Sequence, residues 1–155
     1  MRDPVLRPAT VLPPPLIYAL TLASAWWLDR RWRVPLDMGS ATPYLGWALI
    51  ALGLFGFAWA LSAIWGKRTT VNPYKAASQL VTNGPFRYSR NPIYASDWLV
   101  YAGLMLLMQS AWPWLFAPLV WGLMRYAVIA HEEAHLEAKF GAEYRAYQAR
   151  VRRWI

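Results

Sequence analysis

Asn83-Gly84-Pro85-Phe86-Arg87-Tyr88-Ser89-Arg90-Asn91-Pro92-Ile93-Tyr94 is the stretch on which the fold turns. It is polar, aromatic and rich in turn residues, and it opens onto an apolar segment. A second polar piece lies nearer the C-terminus: His131-Glu132-Glu133-Ala134-His135-Leu136, followed by Phe140-Gly141-Ala142-Glu143-Tyr144. About 36 mostly apolar residues separate the two pieces. That is the length of two short membrane-crossing helices and a tight turn. A hairpin returns the chain to the side it left, so both polar pieces should meet at one membrane face. The active site is expected there.

Composition agrees with a membrane setting. Of the 155 residues, 57% are hydrophobic and 15% charged, with 11 Trp and 9 Tyr. Soluble domains carry about 25% charge. The net charge of +8 raises the question of a nucleic-acid partner. The basic residues, however, flank apolar runs, as the positive-inside rule requires, and no nucleic acid is expected. There is no Cys, which removes disulfides, thiolate metal sites and a Cys nucleophile. The first apolar run contains Pro13-Pro14-Pro15 and ends at Trp26-Trp27-Leu28-Asp29 without a small-residue cleavage site, so no cleavable signal is expected.

Working outward from the central stretch, the apolar runs are Val11 to Leu28, Tyr44 to Trp65, Ile93 to Met108 and Ala111 to Ala130. The second has no charge over 22 residues, enough to span with some tilt. Its Gly53 and Gly56 lie near one face, where small residues let membrane helices approach closely. Gln109-Ser110 is a very tight turn between the third and fourth runs. Pro113, Pro118 and Gly122 mark kinks in the fourth. The loop from Lys67 to Tyr94 carries turn signals at Asn72-Pro73, Asn83-Gly84-Pro85 and Asn91-Pro92. From His131 on, Leu136, Phe140, Tyr144 and Tyr147 recur at helical spacing, giving an amphipathic helix.

These features predict an all-α integral membrane protein with about four transmembrane helices and a C-terminal cytoplasmic amphipathic helix. It reads as one domain over residues 1–155. Residues 1–66 form an N-terminal helix pair, and residues 67–155 form the central loop, the hairpin and the C-terminal helix. With four crossings, the N-terminal segment, the 67–90 loop and the tail share one side. They hold twelve Lys and Arg, against three in the 29–42 connector and none in the 109–110 turn. That side is therefore cytoplasmic, with both termini on it.

Two ionisable groups fall at membrane depth, Asp97 and Arg125, where charge is costly and tends to be paired or functional. Glu132 follows Arg125 by seven residues, two α-helical turns, which places both on one face. One basic group with a carboxylate above it suits a charged amphiphile. The plainer alternatives are that Arg125 snorkels to phosphates or pairs with Asp97 to hold the hairpin together. His131 and His135 with Glu132 also fit H-E-x-x-H, the zinc-protease pattern. No separate third ligand is evident, and no metal is expected.

The two polar pieces together resemble the isoprenylcysteine carboxyl methyltransferase and phospholipid methyltransferase families. Those families carry G-x-[YF]-x-[YW]-x-R-H-P-x-Y, a membrane hairpin, and then R-x-x-x-E-E-x-x-L-x-x-x-F-G-x-x-Y-x-x-Y. The matching residues are Gly84 to Tyr94, then Glu132-Glu133, Leu136, Phe140-Gly141, Tyr144, Tyr147 and Val151. The resemblance covers about residues 78–155, half the chain. It implies methyl transfer from S-adenosylmethionine to a lipid-like or amphiphilic acceptor at the cytoplasmic face of a membrane, in a bacterium the inner membrane. It implies a cofactor held by Gln79, Leu80, Val81, Phe86, Asn91, Pro92, Ile93, Tyr94 and Glu132, and an acceptor that enters from the bilayer near an arginine.

Two positions depart from the family pattern. The family His before Pro is Asn91, which exchanges hydrogen bonds but cannot act as a base. The family Arg four residues before the first Glu is Val128, and Arg125, one turn deeper, is the candidate replacement for acceptor binding. The alternatives are an amine-lipid N-methyltransferase or a non-catalytic membrane protein that keeps the fold.

Overall fold

The computed structural model describes residues 13–67 and 79–155. The turn expected at Asn72-Pro73 and the basic residues Arg2, Arg7, Arg68 and Lys75 lie outside them. Among the described residues the chain is helical, and the only extended pairing is an isolated bridge between Pro35 and Ser110.

Helix α1, Pro14–Arg31, starts on two prolines, whose missing N–H groups cost nothing in a first turn. Helix α2 is Thr42–Gly66, a 3-10 turn covers Gly84–Arg87, and α3 is Pro92–Met108. Then come α4 (Trp112–Gly122), a π-helical segment (Leu123–Ile129) and α5 (Ala130–Phe140). These last three form one unbroken rod. The amphipathic stretch from His131 continues the fourth apolar run, and the break falls at Gly141, whose φ of 52° and ψ of −118° suit a residue without a Cβ. Helix α6, Ala142–Arg150, follows. Two helices are long and apolar enough to cross a membrane, Thr42–Gly66 and the rod Trp112–Phe140, and Pro92–Met108 is apolar but shorter.

The helices pack as two pairs. The chief partner of α3 is α2, and that of α4 is α1. The tight turn therefore does not make α3 and α4 each other's main neighbours, as connectivity alone suggested. Pairing of α2 with α3 depends on glycine. A Cβ at Gly53 would lie 2.7 Å from the Ser96 carbonyl oxygen, and one at Gly103 2.6 Å from the Gly46 carbonyl oxygen. Such close approach gives membrane helices their contact area. Gly53→Ala should therefore lower stability by about 1–3 kcal/mol through overpacking. Gly122→Ala meets nothing within 4 Å and should be neutral or slightly stabilising. Thermal unfolding of both variants in detergent checks the contrast.

The core joins α1, α3 and the rod through Ile17, Tyr18, Tyr101, Met105, Val120, Met124 and Val128. The two connectors meet at one end. The Leu36 N–H donates to the Gln109 carbonyl (3.0 Å), the Ala111 N–H to the Val34 carbonyl (2.9 Å) and the Trp112 indole to the Trp32 carbonyl (2.8 Å). The start of α1, the end of α2, the start of α3 and α5 gather at the opposite end. Both polar sequence pieces meet there.

Candidate active site

Asn83 to Pro92 forms a platform at that end. Gly84 has φ +58°, and a Cβ there would come within 3.2 Å of the Ala63 Cβ, so the turn sits directly on α2. The 3-10 turn buries Pro85 and brings Phe86 beside Ile64 and Val81. Asn91 precedes Pro92 at the start of α3 but does not cap it with its side chain. Its Nδ2 instead donates to the Arg153 carbonyl oxygen (3.1 Å), and its N–H donates to Ser89 Oγ (3.1 Å).

The C-terminal tail closes over this platform. Ser89 Oγ donates to the Arg153 carbonyl (3.2 Å), the Arg90 N–H to the Arg152 carbonyl (2.9 Å) and Tyr147 OH to the Phe86 carbonyl (2.7 Å). Burial pushes the Tyr147 phenol up to about 12, so it stays a neutral donor at ordinary pH. An ion-pair network clamps the same junction. Glu133 accepts from Arg153 Nη2 at 2.6 Å and lies 3.2 Å from Arg90 Nη2. The hydrogen bond to Glu133 holds the Arg153 guanidinium above its usual range.

Adjacent glutamates on a helix point about 100° apart, and here they do different things. While Glu133 holds the tail, Glu132 turns toward α3 and accepts a 2.6 Å hydrogen bond from Tyr94 OH. Glu132 lies between two adjoining cavities. One, of about 90 Å³, is bounded by Gln79, Leu80, Val81, Phe86 and the tail. The other, of about 240 Å³, is bounded by Asn91 to Tyr94, Arg90 and Asp97. Ile64, Phe86, Arg90, Asn91 and Glu132 line both. A third cavity of about 280 Å³ lies beside the second, sharing Pro15, Phe57 and Asp97 with it.

All nine residues that the resemblance implied at the cofactor lie on the first two cavities. Arg125 does not. Its guanidinium stacks on Trp121 (5.1 Å to the ring centroid) and Tyr126 (5.6 Å), makes no ion pair with Asp97 and lines none of the three cavities. The reason is the π-helical segment. The Ala130 N–H bonds back to the Arg125 carbonyl, an i→i−5 step in place of i→i−4. The extra residue in that turn breaks the seven-residue register, so Arg125 and Glu132 no longer share a face.

His131 Nδ1 sits 3.1 Å from the Tyr126 carbonyl and is exposed, whereas His135 is buried. The sequence reading missed Arg90 and Arg153 as working residues. Arg90 stood inside the motif and Arg153 in the tail, and the signal was their excess over what orientation needs. Ile64, Phe57 and Pro15 line the cavities without any signal beyond hydrophobicity.

A family model for phospholipid methyltransferases matches residues 41–143. The chain belongs to this family. The match starts with α2 and reaches the beginning of α6, taking in both glutamates and the whole platform. A protein of Haemophilus influenzae described as uncharacterized is 40% identical over 63 residues, covering 36% of this chain and all of the relative. No solved structure matches. Members of a phospholipid methyltransferase family are membrane methyltransferases, and the apolar helices of this chain accord with that.

Proposed function

We propose that the protein is an integral membrane enzyme that transfers a methyl group from S-adenosylmethionine to a lipid-like acceptor at the cytoplasmic face. The observation that carries this reading is Glu132, fixed by Tyr94 where the two cavities adjoin. In this reading all four long helical segments cross the bilayer, and both termini lie on the cytoplasmic, basic side, in a bacterium the inner membrane. The whole chain acts as one domain.

The site residues suit the cofactor. Glu132 is a carboxylate placed to accept hydrogen bonds from hydroxyl or ammonium groups. Arg90 lines both cavities, and its Nε is buried without a hydrogen-bond partner among the described residues. It is a donor available to a carboxylate. Ile64, Leu80, Val81 and Phe86 supply apolar walls for a flat ring. When bound, S-adenosylmethionine supplies a methyl group already activated on a sulfonium. The chain must therefore bind and align more than it must activate. Tyr94 fixes the Glu132 carboxylate, and the aromatic walls of Phe86 and Tyr94 favour positive charge. Asn91 braces the tail through its Nδ2, a task that needs no base.

Acceptor binding is reassigned from Arg125 to the cavities around Asp97, for the reason of register given above. A second reading, a non-catalytic protein that keeps the fold, draws on Asn91 in place of the family His. The test is to incubate purified protein with a membrane lipid extract and methyl-labelled S-adenosylmethionine. A labelled lipid product is expected. Absence of cofactor binding by calorimetry would overturn the reading, and binding without any labelled product would favour the non-catalytic one.

A further inference from the structure

We propose that Trp121, Arg125 and Tyr126 form a binding site on the outer face of the rod for the phosphate of an anionic phospholipid. The site is separate from the three cavities. It requires that the rod cross a bilayer, and it does not depend on methyl transfer.

The π-helical segment builds the site. In a uniform α-helix, residues five apart point about 140° away from each other. A π turn brings them over one another. Trp121, Tyr126 and His131 are spaced by five, and here they form one row. The Trp121 and Tyr126 rings lie 6.3 Å apart at 90°, and His131 Nδ1 sits 3.1 Å from the Tyr126 carbonyl. The Arg125 guanidinium packs against both rings, 5.1 Å and 5.6 Å from their centroids. Val120, Met124 and Val128 take the core side of the same turns. Trp121 is 43% and Tyr126 63% exposed, so the row faces outward.

Arg125 lacks a counter-charge. Among the described residues it has no ion pair and no hydrogen bond. Contact with the rings attracts the cation but uses none of its five N–H donors. A guanidinium in an apolar span without an anion is expensive. Arg125 lies about 9 Å along the axis from His131, six residues at 1.5 Å each, and His131 is exposed where the charged α5 begins. From that depth an arginine stem lifts its head to the phosphate level, the level at which Trp and Tyr also settle. The guanidinium fork matches a phosphate bidentately. Trp121 Nε1 and Tyr126 OH, also without hydrogen bonds among the described residues, are further donors beside it.

Charge selects the headgroup. A headgroup that carries its own ammonium brings a like charge up to Arg125. A headgroup with net negative charge does not, so the site prefers an anionic lipid to a zwitterionic one.

The experiment titrates the full chain in a neutral detergent with short-chain phosphatidylglycerol, short-chain phosphatidylcholine and inorganic phosphate. Wild type should bind the phosphatidylglycerol about fivefold more tightly than the phosphatidylcholine, and inorganic phosphate more weakly than either, because it has no acyl chain to lie along the rod. Arg125→Gln should remove the preference. Arg125→Lys, which keeps the charge without the fork, should keep part of it. Lys139→Gln removes the same charge farther along the rod and should leave the preference unchanged. A wild type that does not distinguish the two lipids overturns the proposal without recourse to any variant. So does an Arg125→Gln variant that keeps the preference, or a Lys139→Gln variant that loses it equally, which would make net charge the cause. Inorganic phosphate bound as tightly as the phosphatidylglycerol overturns the lipid part of the proposal. Failure of the methyltransferase reading shows separately, as absent cofactor binding with the lipid preference intact.

Discussion

Glu132→Ala should weaken S-adenosylmethionine binding by about 10–100-fold, the loss of one hydrogen bond to a charged acceptor at about 1.5–3 kcal/mol. The carboxylate stands at the boundary of the two cavities and is already oriented by Tyr94 OH at 2.6 Å. Little ordering entropy should then be spent when the cofactor binds, and truncation loses both the charge and its alignment. Tyr94→Phe removes only the orienting bond and should cost about 1 kcal/mol, roughly fivefold in affinity. Calorimetric titration of both variants checks the ranking. Equal effects would show that Tyr94 contributes as much as the carboxylate it orients.

Glu133→Ala is expected to leave the Glu132–Tyr94 hydrogen bond in place and undo the clamp. The Glu133 side chain is 9% exposed and holds two guanidinium groups, Arg90 at 12% and Arg153 at 32% exposure. Removing one member of a buried ion-pair network leaves the others uncompensated, at about 3–5 kcal/mol. Because Arg153 is a third exposed, water offsets part of that, and about 3 kcal/mol is expected. The tail bonded to Ser89, Arg90 and Asn91 should then open. The check is a lowered thermal midpoint together with proteolysis after Arg150, Arg152 or Arg153 under conditions where wild type is resistant. A Glu133→Ala variant that loses cofactor affinity as steeply as Glu132→Ala, with its tail still protected, would reverse the division of labour between the two glutamates.

That division shows where sequence reasoning was sufficient. Adjacent positions on a helix point about 100° apart, so different partners for the two carboxylates were legible from Glu132-Glu133 alone. Which partner each would find was not. Tyr94 lies 38 residues from Glu132, and Arg153 lies 20 from Glu133. Such distances are closed only by the packing of α3 against the rod and by the return of the tail. Asn91 is a similar case. As a letter in a motif it was a missing histidine; in the fold its amide holds the Arg153 carbonyl.

Patterns that depend on local physics were readable directly. The apolar runs, the tight turn at Gln109-Ser110 and the meeting of two polar pieces at one end follow from hydrophobicity, length and turn chemistry, each carried by neighbours in the chain. Helix partners were not readable, because α2 joins α3 through glycines whose fit depends on the opposing backbone at Ser96 and Gly103. Arg125 marks the boundary between the two. Spacing placed it on the face of Glu132 on the assumption of a uniform α-helix. The π-helical turn between them is a tertiary accommodation that no hydrophobic period announces. Composition and periodicity by themselves determined a helical chain with helices apolar enough to cross a membrane and its two polar pieces at one end. The tertiary structure decided which charges meet, because burial and partner geometry, not spacing, set whether a charged side chain is paired, left open to a ligand or turned outward.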